Sequence, residues 1–234
     1  MSQSICLFGD SVAKGIGYDE ASRRYIHTDH SFLRLFCAAQ GLELLDHARF
    51  GCTLAKAQRL AEIHWKDASE SHATFFMLGG NDCDYDWAAV AQDPSSDRPC
   101  STPMDSFLEG YLDLLARIKM NGGHPVLLSM VPVVSRKYYA WITARHGEAG
   151  IRQFLLFPER IEHWNERYNL ALYQIAGQSG VPLIDLRSPL LARKDIGDFY
   201  CPDGIHPNQA GHTLLFKACQ GSLLRVLEQA PPYQ

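Results

Sequence analysis

The chain lacks an excess of basic charge, long apolar runs and paired cysteine motifs. Lysine and arginine total 22 against 26 acidic residues, a net charge of −4. That leaves no electrostatic footprint for nucleic acid. The apolar stretches are far shorter than a bilayer requires, so no membrane span is expected. The first residues, Met1-Ser2-Gln3-Ser4-Ile5, show no charged segment followed by an apolar one, so no signal peptide is expected and a cytoplasmic setting is the expectation. Seven cysteines (6, 37, 52, 83, 100, 201 and 219) form no Cys-x-x-Cys pair and are odd in number. This argues against a disulfide framework and a structural zinc site, and for reduced thiols. Internal repeats, linkers and low-complexity tracts are absent too, so residues 1–234 read as one domain.

Two further absences exclude enzyme classes. Lys14-Gly15-Ile16-Gly17 looks like part of a dinucleotide fingerprint, but Glu20 stands where the third glycine belongs. Around Ser11, Ala13 replaces the second glycine of a Gly-x-Ser-x-Gly elbow, against an α/β-hydrolase fold.

Short apolar runs recur at 5–8, 42–45, 74–78, 126–130 and 181–184. They suit strands buried on both faces. Helical spacing fills the intervals at 31–40, 54–65, 104–120, 158–178 and 208–227. The alternation predicts an α/β fold with a parallel sheet and helices on both faces. Segments 92–103 and 135–150 break the rhythm and are expected to be surface loops that wall a pocket.

The chemistry-bearing residues fall at strand ends and in one late loop. They are Gly9-Asp10-Ser11, Arg49 to Thr53, Gly79-Gly80-Asn81-Asp82 and Asp203 to Pro207. A parallel sheet gathers such positions at one edge, where ligands bind. A serine becomes a nucleophile only when a base takes its proton. His206 is the candidate base, and Asp203, three residues earlier, can orient it within one turn. Candidate oxyanion donors are the backbone N–H groups of Ser11 and Gly51 and the side chain of Asn81. Asp10 and Asp82 read as braces for their loops.

This set resembles the GDSL/SGNH hydrolase superfamily. Gly9-Asp10-Ser11 with Gly15 matches block one, Gly51 the glycine of block two, Gly79 to Asp82 block three, and Asp203 with His206 block five. Block two departs from the pattern: the asparagine common before its glycine is absent from Asp46-His47-Ala48-Arg49-Phe50. The resemblance implies a flavodoxin-like three-layer α/β/α sandwich with a central, mostly parallel five-stranded sheet. It also implies hydrolysis of esters, or sometimes thioesters, without a metal or other cofactor.

Three further groups are weighed against plainer roles. His27 and His30 lack a third placed ligand and read as solvated surface, and His47 as a strand-end residue. Cys52, Cys83 and Cys201 adjoin site residues but read as small buried groups; modification of these thiols would be the way they touch function. Tyr85, Trp87, Tyr138, Tyr139 and Trp141 are candidate pocket walls. The expected substrate is a small ester, of a short acyl group or a carbohydrate. An acyltransferase using the same triad and a non-catalytic binding module are the rival readings.

Overall fold

The computed structural model describes residues 4–229. β1 (Ser4–Gly9) leads into α1 (Ser11–Lys14), then a hairpin of β2 (Ile16–Asp19) and β3 (Arg24–His27), then α2 (Phe32–Gln40) and β4 (Glu43–Asp46). Next come α3 (Leu54–Ile63), α4 (Trp65–Glu70), β5 (Ala73–Met77), α5 (Trp87–Gln92), α6 (Met104–Met120) and β6 (Pro125–Leu128). Helices α7 (Ser135–His146), α8 (Glu148–Leu155) and α9 (Arg160–Ser179) precede β7 (Leu183–Ile184), α10 (Arg187–Leu191), a 3₁₀ turn at Ile196–Phe199 and α11 (Gln209–Gln229).

Five strands form one sheet in the order β4-β1-β5-β6-β7, every neighbour pair parallel. Numbered within that sheet the order is 2-1-3-4-5, the flavodoxin-like arrangement, which places a ligand crevice at the carboxyl ends of the strands. The period-2 geometry of a strand sorts its residues between two cores. On β1, Ile5 and Leu7 join one cluster with Phe32, Phe36 and Leu215, beneath α2 and α11. Cys6 and Phe8 join the other with Phe107, Tyr111 and Leu172, beneath α6 and α9. The same alternation runs along β5, where Phe75 and Met77 face one way and Phe76 the other.

Segment 135–150 is not the loop its sequence suggests but α7 and the start of α8. No glycine or proline interrupts residues 135–146, and Tyr138 and Ile142, four apart, are buried on one face. The mixture of aromatic and charged residues on the remaining positions hid that period. These helices, α5 and the first turn of α9 enclose a third cluster around Trp87, Tyr138, Ile151 and Ile161. Segment 54–65 is likewise divided, α3 ending at Ile63 and α4 beginning at Trp65. Segment 93–103 carries no regular element, as its proline-rich composition suggests.

Candidate active site

The first strand ends in a tight turn that presents Ser11 to a cavity. Gly9 makes the turn possible, since a Cβ there would lie 2.4 Å from Ala13 Cβ. Asp10 then caps the four-residue α1, accepting from the Val12 N–H at 2.9 Å and the Ala13 N–H at 3.4 Å. Burial pushes the Asp10 carboxyl up to about 6 despite those bonds. Ser11 is the first residue of α1, where backbone N–H groups have no intrahelical acceptor.

The loop before α11 brings the other partners. The Ser11 hydroxyl lies 2.7 Å from His206 Nε2, across 195 residues of chain. His206 Nδ1 lies 2.6 Å from Asp203 Oδ2. Asp203 Oδ1 accepts from the Ile205 and His206 N–H groups at 3.1 Å. All three side chains are buried. Burial opposes ionisation of Asp203, but the His206 ring and these two N–H groups outweigh it and hold its carboxyl below the usual range. The loop is pinned by Cys201 N–H to His206 O at 2.8 Å and Val134 N–H to Gly204 O at 2.8 Å.

Asn81 and Gly51 come from the neighbouring strand ends. The Asn81 side chain donates to Cys52 O at 3.2 Å, which leaves one of its two amide hydrogens for another acceptor. Gly51 occupies a left-handed turn at φ 65, between Phe50 and Cys52. Asp82 ties this region together, accepting from the Leu54 N–H at 2.9 Å and the Thr102 hydroxyl at 2.6 Å.

A cavity of about 80 Å³ opens on Ser11, Asn81 and His206. Of the aromatic wall candidates, Trp87 and Tyr138 line it; Tyr85, Tyr139 and Trp141 do not. Tyr85 packs behind the wall, 4.5 Å from the Trp164 ring. The Tyr139 hydroxyl donates to Glu148 at 3.1 Å. Trp141 stands edge-on to Tyr18 at 4.9 Å on the β2–β3 hairpin. Gly51 is set back from the lining, although its neighbour Phe50 stacks on the His206 ring at 6.1 Å. Tyr25 of β3 contacts the same ring at 5.2 Å. Sequence reasoning missed Tyr25, Asp84 and Trp164, and named Phe50 only within the segment Arg49 to Thr53. The hairpin turn has neither glycine nor proline, only Asp19 accepting from the Ser22 N–H at 3.0 Å, and Asp84 follows Asn81 with nothing to separate it from any loop acid.

The thiols beside the site are protonated. Burial pushes Cys52 up to about 12, Cys83 well above its usual range and Cys201 upward. His47 lies away from the cavity, its Nε2 2.8 Å from Asp67 and its ring stacked on His64 at 3.8 Å. His47, His64 and Asp67 could in principle gather a cation. The two rings are nearly parallel, at 20°, so their in-plane lone pairs do not converge on one ion. Among the described residues, no helix is long and apolar enough to cross a membrane.

A family model described as the GDSL-like lipase/acylhydrolase family matches residues 7–214. A lipase/acylhydrolase from Enterococcus faecalis has 17% identity, 99% coverage of both chains and a TM-score of 0.66. The esterase EstA from a Pseudoalteromonas species, solved with monoethylphosphonate as inhibitor, has 13% identity and a TM-score of 0.62, covering 97% of this chain and 100% of its own. A putative SGNH hydrolase from Slackia heliotrinireducens has 17% identity and a TM-score of 0.59, covering 95% and 100%. At these identities the likeness is one of fold: the parallel sheet and flanking helices match the SGNH hydrolase arrangement. No curated protein matches the chain.

Proposed function

The chain belongs to the GDSL-like lipase/acylhydrolase family, and we propose that it hydrolyses small carboxylic esters of short acyl groups through an acyl-enzyme on Ser11. The observation that carries this reading is the continuous pair of contacts from the Ser11 hydroxyl to His206 and from His206 to Asp203, at 2.7 and 2.6 Å. A serine so placed can pass its proton to Nε2 as the oxygen attacks an acyl carbon. Asp203 fixes the ring with Nδ1 protonated and stabilises the imidazolium that forms. The Ser11 N–H and the Asn81 amide, both on the cavity lining, are assigned to the oxyanion, and the Gly51 N–H, set back from that lining, is left out of the assignment. His206 then gives its proton to the departing alkoxide, and the C–O bond to the alcohol breaks. A water molecule repeats the sequence against the acyl-enzyme, its proton going to His206 and the acid leaving as Ser11 regains its hydrogen. No step calls for a metal or organic cofactor.

The size of the cavity favours a short acyl or alcohol group. A water molecule needs about 10–15 Å³ by the same measure, so about 80 Å³ accommodates a handful of non-hydrogen atoms. A p-nitrophenyl ester series from acetate to decanoate tests both parts. Rates should fall as the acyl chain lengthens, and Ser11→Ala should lose at least about 10³-fold in kcat. A serine-directed phosphonate should label the wild-type chain at Ser11. Retained hydrolysis in Ser11→Ala, or a preference for decanoate, overturns the assignment. Ester products formed with an added alcohol would place the chain among transferases instead.

A further inference from the structure

Asp84 is a half-buried carboxylate that the reaction does not use. It follows the Asn81 loop and lines the same cavity as Ser11 and His206. Its Oδ1 accepts from the Trp87 indole N–H at 2.9 Å and its Oδ2 from the Tyr138 hydroxyl at 2.6 Å. The Trp87 N–H also reaches the Tyr138 oxygen at 2.9 Å, so carboxylate, indole and phenol form one closed unit. Both donors are neutral. Among the described residues, no lysine, arginine or histidine lies within ion-pair distance of Asp84. The cation on that side of the fold, Arg160, is engaged elsewhere: its guanidinium lies over the Trp164 ring at 5.2 Å and donates to Phe154 O.

A carboxylate has about four lone-pair sites, more than the Trp87 and Tyr138 side chains and the Tyr85 backbone fill. Burial without a counter-charge pushes it up to about 6. The rings of Trp87 and Tyr138 line the space beside it, and so does Trp164, whose face is taken by Arg160. Aromatic rings attract cations by about 0.5–2 kcal/mol each, more as water is removed. A carboxylate and two aromatic side chains beside a small cavity therefore present a complement to positive charge. A neutral hydroxyl could fill a lone pair but would leave the charge unmatched.

We propose that the cavity seats a compact organic ammonium group carried by the ester, held by Asp84, Trp87 and Tyr138. This deepens the esterase reading by naming the substrate class, and it rests on that reading only for the ester linkage. The test separates the two. Choline and its neutral isostere 3,3-dimethylbutan-1-ol are titrated against the Ser11→Ala chain, with indole fluorescence and calorimetry as readouts. Choline should bind at least about tenfold tighter. Adding Asp84→Asn should cut that preference at least about threefold, the rings alone keeping the remainder. Equal binding of the two ligands, weaker choline binding or no choline binding overturns the proposal. So does a charge preference that Asp84→Asn leaves undiminished. Hydrolysis of acetylcholine against 3,3-dimethylbutyl acetate by the wild-type chain is then compared. A choline preference in binding with no hydrolysis of either ester would remove the esterase reading alone.

Discussion

Asn81 illustrates how much a single side chain is asked to do. Its amide is held by the Cys52 carbonyl at 3.2 Å, so its orientation does not await the substrate. A preorganised donor acts where negative charge develops, and removing one costs about 10²–10³ in turnover. Asn81→Ala should therefore lower kcat on p-nitrophenyl acetate by that factor while KM changes little. A loss below threefold would move the oxyanion role to other donors. The residues around Asn81 differ in how far the sequence reveals them. Ser11, Asn81, Asp203 and His206 could be picked out because their identities and order form a pattern together. Tyr25 and Phe50, which flank the His206 ring, belong to no such pattern. Their proximity arises from a hairpin and a turn that only the folded chain brings together.

The elements show a similar division. The buried strands stood out because β1, β5 and β6 lie inside the sheet and must be apolar on both faces. The hairpin of β2 and β3 stayed hidden because its strands have four residues each and mix apolar with polar positions, β2 half-buried and β3 mostly exposed. Helix α5 is only six residues long, and α7 disguises its buried face among charged neighbours. The walls of the cavity depend on how these helices approach each other. At the contact of α8 with α5, a Cβ on Gly150 would lie 2.4 Å from the Ala91 carbonyl oxygen. Helix propensity alone says that Gly150→Ala stabilises by about 1 kcal/mol. The backbone clash says the opposite, by about 1–3 kcal/mol of overpacking. The urea midpoint should fall in this variant, and a rise would mean that α8 yields freely.

At the scale of the whole molecule, buried groups set opposing proton linkages. Asp10 and Asp84 titrate near 6 in the fold, both raised by burial, against about 4 when unfolded. Between those values the native state holds the extra proton, so each makes stability fall as pH rises. His212 is lowered by burial to about 4, and neither of its ring nitrogens has a hydrogen-bond partner. The unfolded imidazole binds its proton near 6.5, so His212 makes stability rise across the same interval. From pH 4.5 to 6 the urea midpoint should decline in the wild-type chain, decline less in Asp84→Asn and more in His212→Phe. The reverse order for either variant contradicts its assigned linkage.

The separation of Ser11 from His206 by 195 residues bears on the folding process as well. Their contact forms only when the loop before α11 has closed onto the end of β1, so it is among the most non-local contacts a chain of this length can make. Such contacts carry the full entropy of closure and tend to form late. A chain that holds its helices and strands but not this contact presents Ser11 without its base, as an ordinary and unreactive alcohol. Under the proposed mechanism Ser11 is therefore silent during folding, and its awakening coincides with completion of the structure that restricts what it can attack.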